Sequence, residues 1–400
     1  MKVIKGGLIA PKGFKVAAVS CGIKKSGRND LALLFSERPA ICAGTFTTNK
    51  MKSGSLVLTE RRIKKGVAQA VIVNSGNANC CVGAKELKDA GEITALVAKK
   101  LSLNKDLVLI ASTGIIGRPL PSPKIKKSID FLIKDLNRLN SVKFSKAIMT
   151  TDKVHKEIAV RTKIKGKWVR IAGVAKGSGM ICPNMATMLA FFTTDVLIDK
   201  DALKAVFKES VSESFNRITV DGDMSTNDSA IIFANGMAAN SIIKKGAKGY
   251  LRFFNAVKFV SSQLAKKIVL DGEGATKFVE ILVKGVRHAV KADAIARHIA
   301  DSSLIKTMIA GEDPNWGRVA ASIGSSGVGV NRSRVDIYFG KRLVMKNGSG
   351  VNVSRKSLLA TFKKKEIMIT VDLKSGRKSS RIWTCDLTKE YVRINAEYET

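Results

Sequence analysis

Short apolar runs that stop at glycine-rich polar clusters constrain this chain more than any other feature of its sequence. Ala70–Val73 (AVIV) and Leu107–Ala111 (LVLIA) are brief, contain β-branched residues and end in such clusters, so they read as buried strands. Between and after such runs, apolar residues recur at helical spacing. Ile125, Ile129, Leu132, Ile133 and Leu136 do so, as do Leu203, Val206, Phe207 and Val211, and again Phe253, Val257, Val260, Leu264 and Ile268. Nearer the C-terminus, Val335–Phe339, Leu343–Lys346, Glu366–Leu373 and Arg381–Leu387 lie between turn residues such as Asn347–Gly348 and Ser375–Gly376, the pattern of antiparallel strands and hairpins. Strands and amphipathic helices mixed in this way predict a layered α/β (α+β) architecture. The expected division is a main unit over about 1–285 and a smaller, strand-richer unit over about 286–400, with no linker between them.

Bulk properties narrow the function classes. Lys and Arg number 69 against 33 Asp and Glu, a formal net charge of +36, which invites a nucleic-acid reading. The lysines are scattered through nearly every segment with acids between them, and the aromatics, 6% of the chain, do not interleave with basic runs as stacking platforms would. A solvated basic surface is the expectation, with no nucleic-acid partner. No apolar run is long enough for a signal segment or a membrane span. The six cysteines include no CxxC spacing and there are three histidines, so neither a disulfide framework nor a metal site is expected, and a cytoplasmic location fits best.

Four polar clusters end or interrupt strands, where functional loops usually lie. They are Asn74–Asn79, Ser112–Gly117, Lys176–Met180 leading into Pro183–Met188, and Asp221–Asp228. Each alone is more often a structural turn than a catalytic one. The stretch 176–195, KGSGMICPNMATMLAFFTTD, is different in kind. A Gly-rich segment ends in Pro183–Asn184, small Ala186 precedes Thr187, and the apolar run Met188–Phe192 follows as a buried strand. A small residue before the threonine leaves the Ala186 carbonyl open to attack by the Thr187 hydroxyl, so the layout suits self-cleavage between Ala186 and Thr187. Thr187 would then be an N-terminus whose own α-amine, titrating near 7.7–8.0 in model compounds, acts as the base for its hydroxyl. That route runs acyl transfer in a chain poor in histidine.

The ordered strings VNSGNAN, STGIIG, AIMTTD, KGSGMICPNMATMLAFFTTD, DGDMSTND, DGEGATK, AGEDPNWGRV and YVRINAEYET closely resemble the ornithine acetyltransferase family, the bifunctional ArgJ-type glutamate N-acetyltransferases of arginine biosynthesis. APKGF, CGIKKSGRNDLALLFSE and AGTFTTN extend the resemblance over essentially the whole chain. The departures are small: Cys80–Cys81 after NSGNAN, and Cys182 before Pro183.

The resemblance implies roles residue by residue. Thr187 is the cleavage site and nucleophile, Thr113 and Gly114 form the oxyanion hole, and Thr150, Lys176, Thr187, Glu273, Asn395 and Thr400 contact substrate. It implies an α chain, 1–186, and a β chain, 187–400, associated as an α2β2 heterotetramer. The implied fold is a sandwich of mixed β-sheets between helical layers, like that of N-terminal-nucleophile hydrolases but with different connectivity. The implied reaction passes an acetyl group from N2-acetylornithine through Thr187 to glutamate, with no cofactor, and leaves open whether acetyl-CoA is a second donor. A hydrolase, in which water takes the acyl group, is the rival from a neighbouring class.

Overall fold

The computed structural model describes residues 1–182 and 188–397, arranged as two compact units. The first comprises Met1–Asn216 and Asp223–Ile268. It contains β1 (Lys2–Ile4), β2 (Phe14–Val19), β3 (Leu31–Phe46), β4 (Val67–Asn77), β5 (Val108–Ile115), β6 (Lys156–Ile164), β7 (Lys167–Lys176), β8 (Leu189–Thr194) and β9 (Ser229–Ala234). Its helices are α1 (Gly54–Ile63), α2 (Lys85–Lys100), α3 (Ser122–Lys134), α4 (Ser141–Ala147), α5 (Lys200–Ser212) and α6 (Tyr250–Leu270). Among the described residues the nine strands run in the order β1-β6-β7-β8-β9-β3-β4-β5, with β2 also paired to β3.

One strand organises this unit. β3 pairs with β2 and β4 through its first half and with β9 through Ile41–Phe46, and its register to β4 breaks between Phe35 and Ala40. Pro39 lies in that break, where it removes a ladder donor and marks a bend. The sheet folds over on itself there. Val16, Leu34, Val71 and Leu109 on one side share a single core with Val174, Leu189, Phe191, Ile231 and Phe233 on the other. The alternate residues Ala17, Leu33, Ile72 and Ile110 face helices through Ile93, Val97, Ile125 and Ile129, as a period of two requires. Likewise Phe192, next to Phe191, turns away from the shared core to meet Phe207 of α5 edge-to-face at 5.3 Å. The result is helix, sheet, sheet, helix, the layered α/β sandwich expected from the sequence.

The second unit comprises Arg217–Gly222 and Val269–Tyr398. It holds β10 (Phe278–Val286), α7 (Ala289–Asp301), α8 (Ser303–Ala310), α9 (Trp316–Gly324), β11 (Asp336–Phe339), β12 (Arg342–Lys346), β13 (Ser349–Gly350), α10 (Arg355–Phe362), β14 (Glu366–Asp372), β15 (Lys378–Cys385) and α11 (Lys389–Glu397). The sheet order is β13-β12-β11-β14-β10-β15. Two features differ from the sequence expectation. The unit starts at Val269 rather than near 286, because β10 is an inner strand of its sheet. The Ser375–Gly376 turn does not close a hairpin either: β10 lies between β14 and β15, parallel to the first and antiparallel to the second. Ile295, Ile299, Met308, Ile309 and Val319 from the helices pack with Ile281, Val283, Ile369 and Val371 in its core. No helix among the described residues is long and apolar enough to cross a membrane.

Candidate active site

The candidate residues of the first unit meet where β4, β5 and β7 end. β4 and β5 run parallel with Asn74 opposite Ser112 and Ser75 opposite Thr113, so two of the polar clusters emerge side by side. A buried network ties them: the Ser112 hydroxyl donates to Asn74 Oδ1 at 2.6 Å and lies 2.7 Å from the Ser55 hydroxyl. Gly114 has φ +130°, and a Cβ there would stand 2.4 Å from the carbonyl carbon of Gly76. The backbones at the two strand ends therefore approach more closely than any side chain allows.

Lys176, the last residue of β7, pairs in register with Leu189, two residues beyond Thr187. Its buried ammonium donates to Thr150 Oγ1 at 2.7 Å and to Thr113 Oγ1 at 3.3 Å. Two hydroxyls far apart in sequence thus share one cation. Because Thr113 Oγ1 accepts from Lys176, its own O–H is left to donate elsewhere, the requirement for an oxyanion-hole hydroxyl.

Asp152 holds this cluster in place, and sequence reasoning assigned it no role. Its Oδ1 accepts from Lys156 Nζ at 2.6 Å and from the Gly177 N–H at 2.7 Å, and its Oδ2 accepts from the Thr150 N–H at 3.1 Å. Burial would raise this carboxyl, but the Lys176 and Lys156 charges and the Gly177 N–H outweigh burial and hold it at about 2. Lys24 stands near the same charges. Burial, with Lys176 as a like-charged neighbour, lowers its ammonium to about 8, against the pull of Asp30. A second unassigned acid, Asp228, accepts the Met188 N–H at 2.9 Å and is buried. Asp228 closes the Asp221–Asp228 cluster, a position that could have marked it, whereas Asp152 lies in none of the four clusters.

In the second unit, Glu273 Oε2 accepts from Asn395 Nδ2 at 2.9 Å. The loop around Glu273 is fastened from both sides. The Thr276 and Lys277 N–H groups donate to Asp386 Oδ1, and the Thr388 hydroxyl donates to the Gly274 carbonyl. Gly274, at φ +69°, leaves room for the backbone of α11, since a Cβ there would stand 2.5 Å from Tyr391 N. The apolar and aromatic side chains of the C-terminal segment differ in burial. Tyr391 and Ile394 are half-buried, but Val392 is 63% exposed, because it lies on the outward face of α11. Ala186, Thr187, Tyr398 and Thr400 lie outside the described residues.

Comparison with known proteins gives one consistent result. The model of the ArgJ family matches residues 15–400. The arginine biosynthesis bifunctional protein ArgJ of Caldanaerobacter subterraneus subsp. tengcongensis is 44% identical over 404 residues, covering all of both chains. Its namesake from Bacillus anthracis is 45% identical over 400 residues, covering 100% of this chain and 98% of that one. Among solved structures, a crystal structure of the arginine biosynthesis bifunctional protein ArgJ from Bacillus halodurans is 40% identical with a TM-score of 0.51. The match covers 52% of this chain and 98% of that chain.

Proposed function

The chain belongs to the ArgJ family, and we propose that it transfers the acetyl group of N2-acetylornithine to glutamate through an ester on Thr187. The precursor first cuts itself. Thr187 Oγ attacks the Ala186 carbonyl carbon, the acyl group moves from nitrogen to oxygen, and water hydrolyses the ester to free the Ala186 carboxylate and the Thr187 amine. That amine then takes the hydroxyl proton as Thr187 attacks the acetyl carbonyl of the donor. The Thr113 hydroxyl and Gly114 N–H stabilise the oxyanion, each such donor typically contributing ~3–4 kcal/mol. Ornithine leaves with the proton returned by the amine, and the glutamate amine attacks the ester to give N-acetylglutamate. No step calls for a metal or redox cofactor. Acetyl-CoA as an alternative donor would account for the word bifunctional in the relatives' names.

The observation that carries this reading is the Lys176 ammonium bridging Thr150 and Thr113. It sets a cation, able to meet a substrate carboxylate, beside the hydroxyl assigned to the oxyanion. Glu273, buried and joined to Asn395, suits the side-chain amine of ornithine. The fragments are taken to remain together as α2β2 in the cytoplasm.

A denaturing gel tests the mechanism. Purified protein should run as two fragments divided before Thr187, and Thr187→Ala as one band without transferase activity. A wild-type chain that stays whole and fully active would defeat the Thr187 reading. Acetylornithine assayed with and without glutamate separates transferase from hydrolase, since full-rate ornithine release without glutamate belongs to a hydrolase.

A further inference from the structure

Of the four polar clusters, Asp221–Asp228 supplies no residue to the reaction described above, yet its last residues are among the most firmly held of the first unit. The Thr47 N–H donates to the Asp228 carbonyl at 3.0 Å, the Thr47 hydroxyl to the Ser225 carbonyl at 3.0 Å, and the Ser53 N–H to the Thr226 carbonyl at 3.1 Å. Within the segment, the Asn227 N–H donates to Ser225 Oγ at 3.1 Å. What this rigid segment holds is Met188, the residue that follows Thr187 in the chain. The Met188 N–H donates to Asp228 Oδ1 at 2.9 Å, and the Met188 carbonyl accepts from the Ser229 N–H at 3.1 Å. Both backbone polar groups of Met188 therefore end on two consecutive residues, the last of the fastened loop and the first of β9.

The carbonyl contact is ordinary, since it leads into the β8–β9 ladder, where Leu189 pairs with Ser229. The N–H contact is not. It lies one residue ahead of β8 and is met by a side chain, a carboxyl only 1% exposed. A buried carboxyl is costly unless its oxygens are met, and the Met188 N–H is the foremost hydrogen bond to it, ahead of those from the Thr47 hydroxyl and the Ser225 N–H. Burial also pushes this carboxyl well above the usual carboxylate range, against the Met188 N–H and the Lys176 charge, which lower it.

We propose that Asp228 is a positioning residue: by holding the peptide that joins residue 187 to Met188, it sets the geometry of Thr187 for self-cleavage and for acyl transfer. The inference rests on the assignment of Thr187 as nucleophile. Acyl transfer to a threonine hydroxyl needs near-attack geometry, and small displacements of the nucleophile cost rate while leaving substrate affinity unchanged.

Three variants separate positioning from proton chemistry. Asp228→Asn keeps an oxygen at the same place and loses the acid. Asp228→Glu keeps the acid and displaces the oxygen by one methylene. Asp228→Ala removes the acceptor. Self-cleavage followed by gel, and kcat and KM for acetylornithine on the cleaved protein, are read for each, with melting temperature as the fold control. The expected result is that Ala and Glu slow cleavage and lower kcat at least ~tenfold with KM unchanged, while Asn restores most of that loss. An Asn variant as slow as Ala, or an Ala variant that cleaves and turns over like wild type, overturns the proposal. If Ala and Glu fail to fold, Asn alone decides, because a folded Asn variant that stays whole overturns it and one that cleaves readily supports it. A wild-type chain that is never cut instead defeats the Thr187 assignment, which keeps the two failures distinguishable.

Discussion

At the scale of single residues, the site is organised by charge that has been taken out of water. Lys156 is fully buried and paired at 2.6 Å with Asp152, itself buried, while the Gly177 N–H and the Thr150 N–H occupy the rest of the carboxyl. Removing one partner of such a pair leaves the other charge uncompensated, which typically costs ~3–5 kcal/mol. Asp152→Asn should therefore lower unfolding free energy by about 3 kcal/mol in urea titrations at neutral pH and slow transfer by loosening Thr150. Its pH dependence follows from the depressed carboxyl, about 2 against an ordinary 3.8. As pH falls, the unfolded chain binds this proton first, so the stabilisation is complete above the unfolded value and is lost as pH drops through the folded one. The stability gap between wild type and Asp152→Asn should narrow across that window, and a gap that stays constant would refute the assignment. None of this was legible in the sequence. Thr150, Lys176 and Thr113 could be placed by motif, but the acid that binds them together is recognised only once β6 and β7 bring residues 152, 156 and 176 to one point.

At the scale of elements, sequence reads strands and helices better than it reads their neighbours. Ala70–Val73, Leu107–Ala111 and Met188–Phe192 overlap β4, β5 and β8, and the three apolar helical patterns fall on α3, α5 and α6. Pairing is another matter. The Ser375–Gly376 turn looks like a hairpin because residues near in sequence usually pair, yet β10, from far upstream, separates the two strands. Two glycines of one cluster show how far a local signal reaches. Both Gly114 and Gly117 have positive φ, but a Cβ on Gly114 strikes the β4 backbone at 2.4 Å, whereas one on Gly117 meets nothing within 4 Å. Gly117→Ala should cost only the left-handed backbone penalty, about 1–2 kcal/mol, with kcat retained. Gly114→Ala must also push β5 away from β4. It should lose more stability than that and lower kcat by about 100-fold in the folded fraction, because the N–H proposed to meet the oxyanion moves with the strand. Equal kcat in the two variants would remove Gly114 from the site.

At the scale of the whole molecule, 69 basic residues face 33 acidic ones, and the net charge of +36 acts on stability and on capture in opposite directions. Like charges held together in the folded state repel, and that repulsion relaxes on unfolding. Added salt shortens the Debye length from about 10 Å at 0.1 M to about 3 Å at 1 M, so sodium chloride should raise the melting temperature over this range. The same field draws anions toward the protein. If the proposed reaction holds, its two substrates differ in the property that matters: glutamate carries a net negative charge at neutral pH, whereas N2-acetylornithine, with one carboxylate and one ammonium, carries none. Salt should thus lower kcat/KM for glutamate while leaving kcat/KM for acetylornithine nearly unchanged, as the protein itself becomes more stable. A parallel fall for both substrates would point to salt acting on the chemistry. A fall for neither would mean that the basic residues are spread too evenly to focus a field on the site, leaving the charge a matter of solubility.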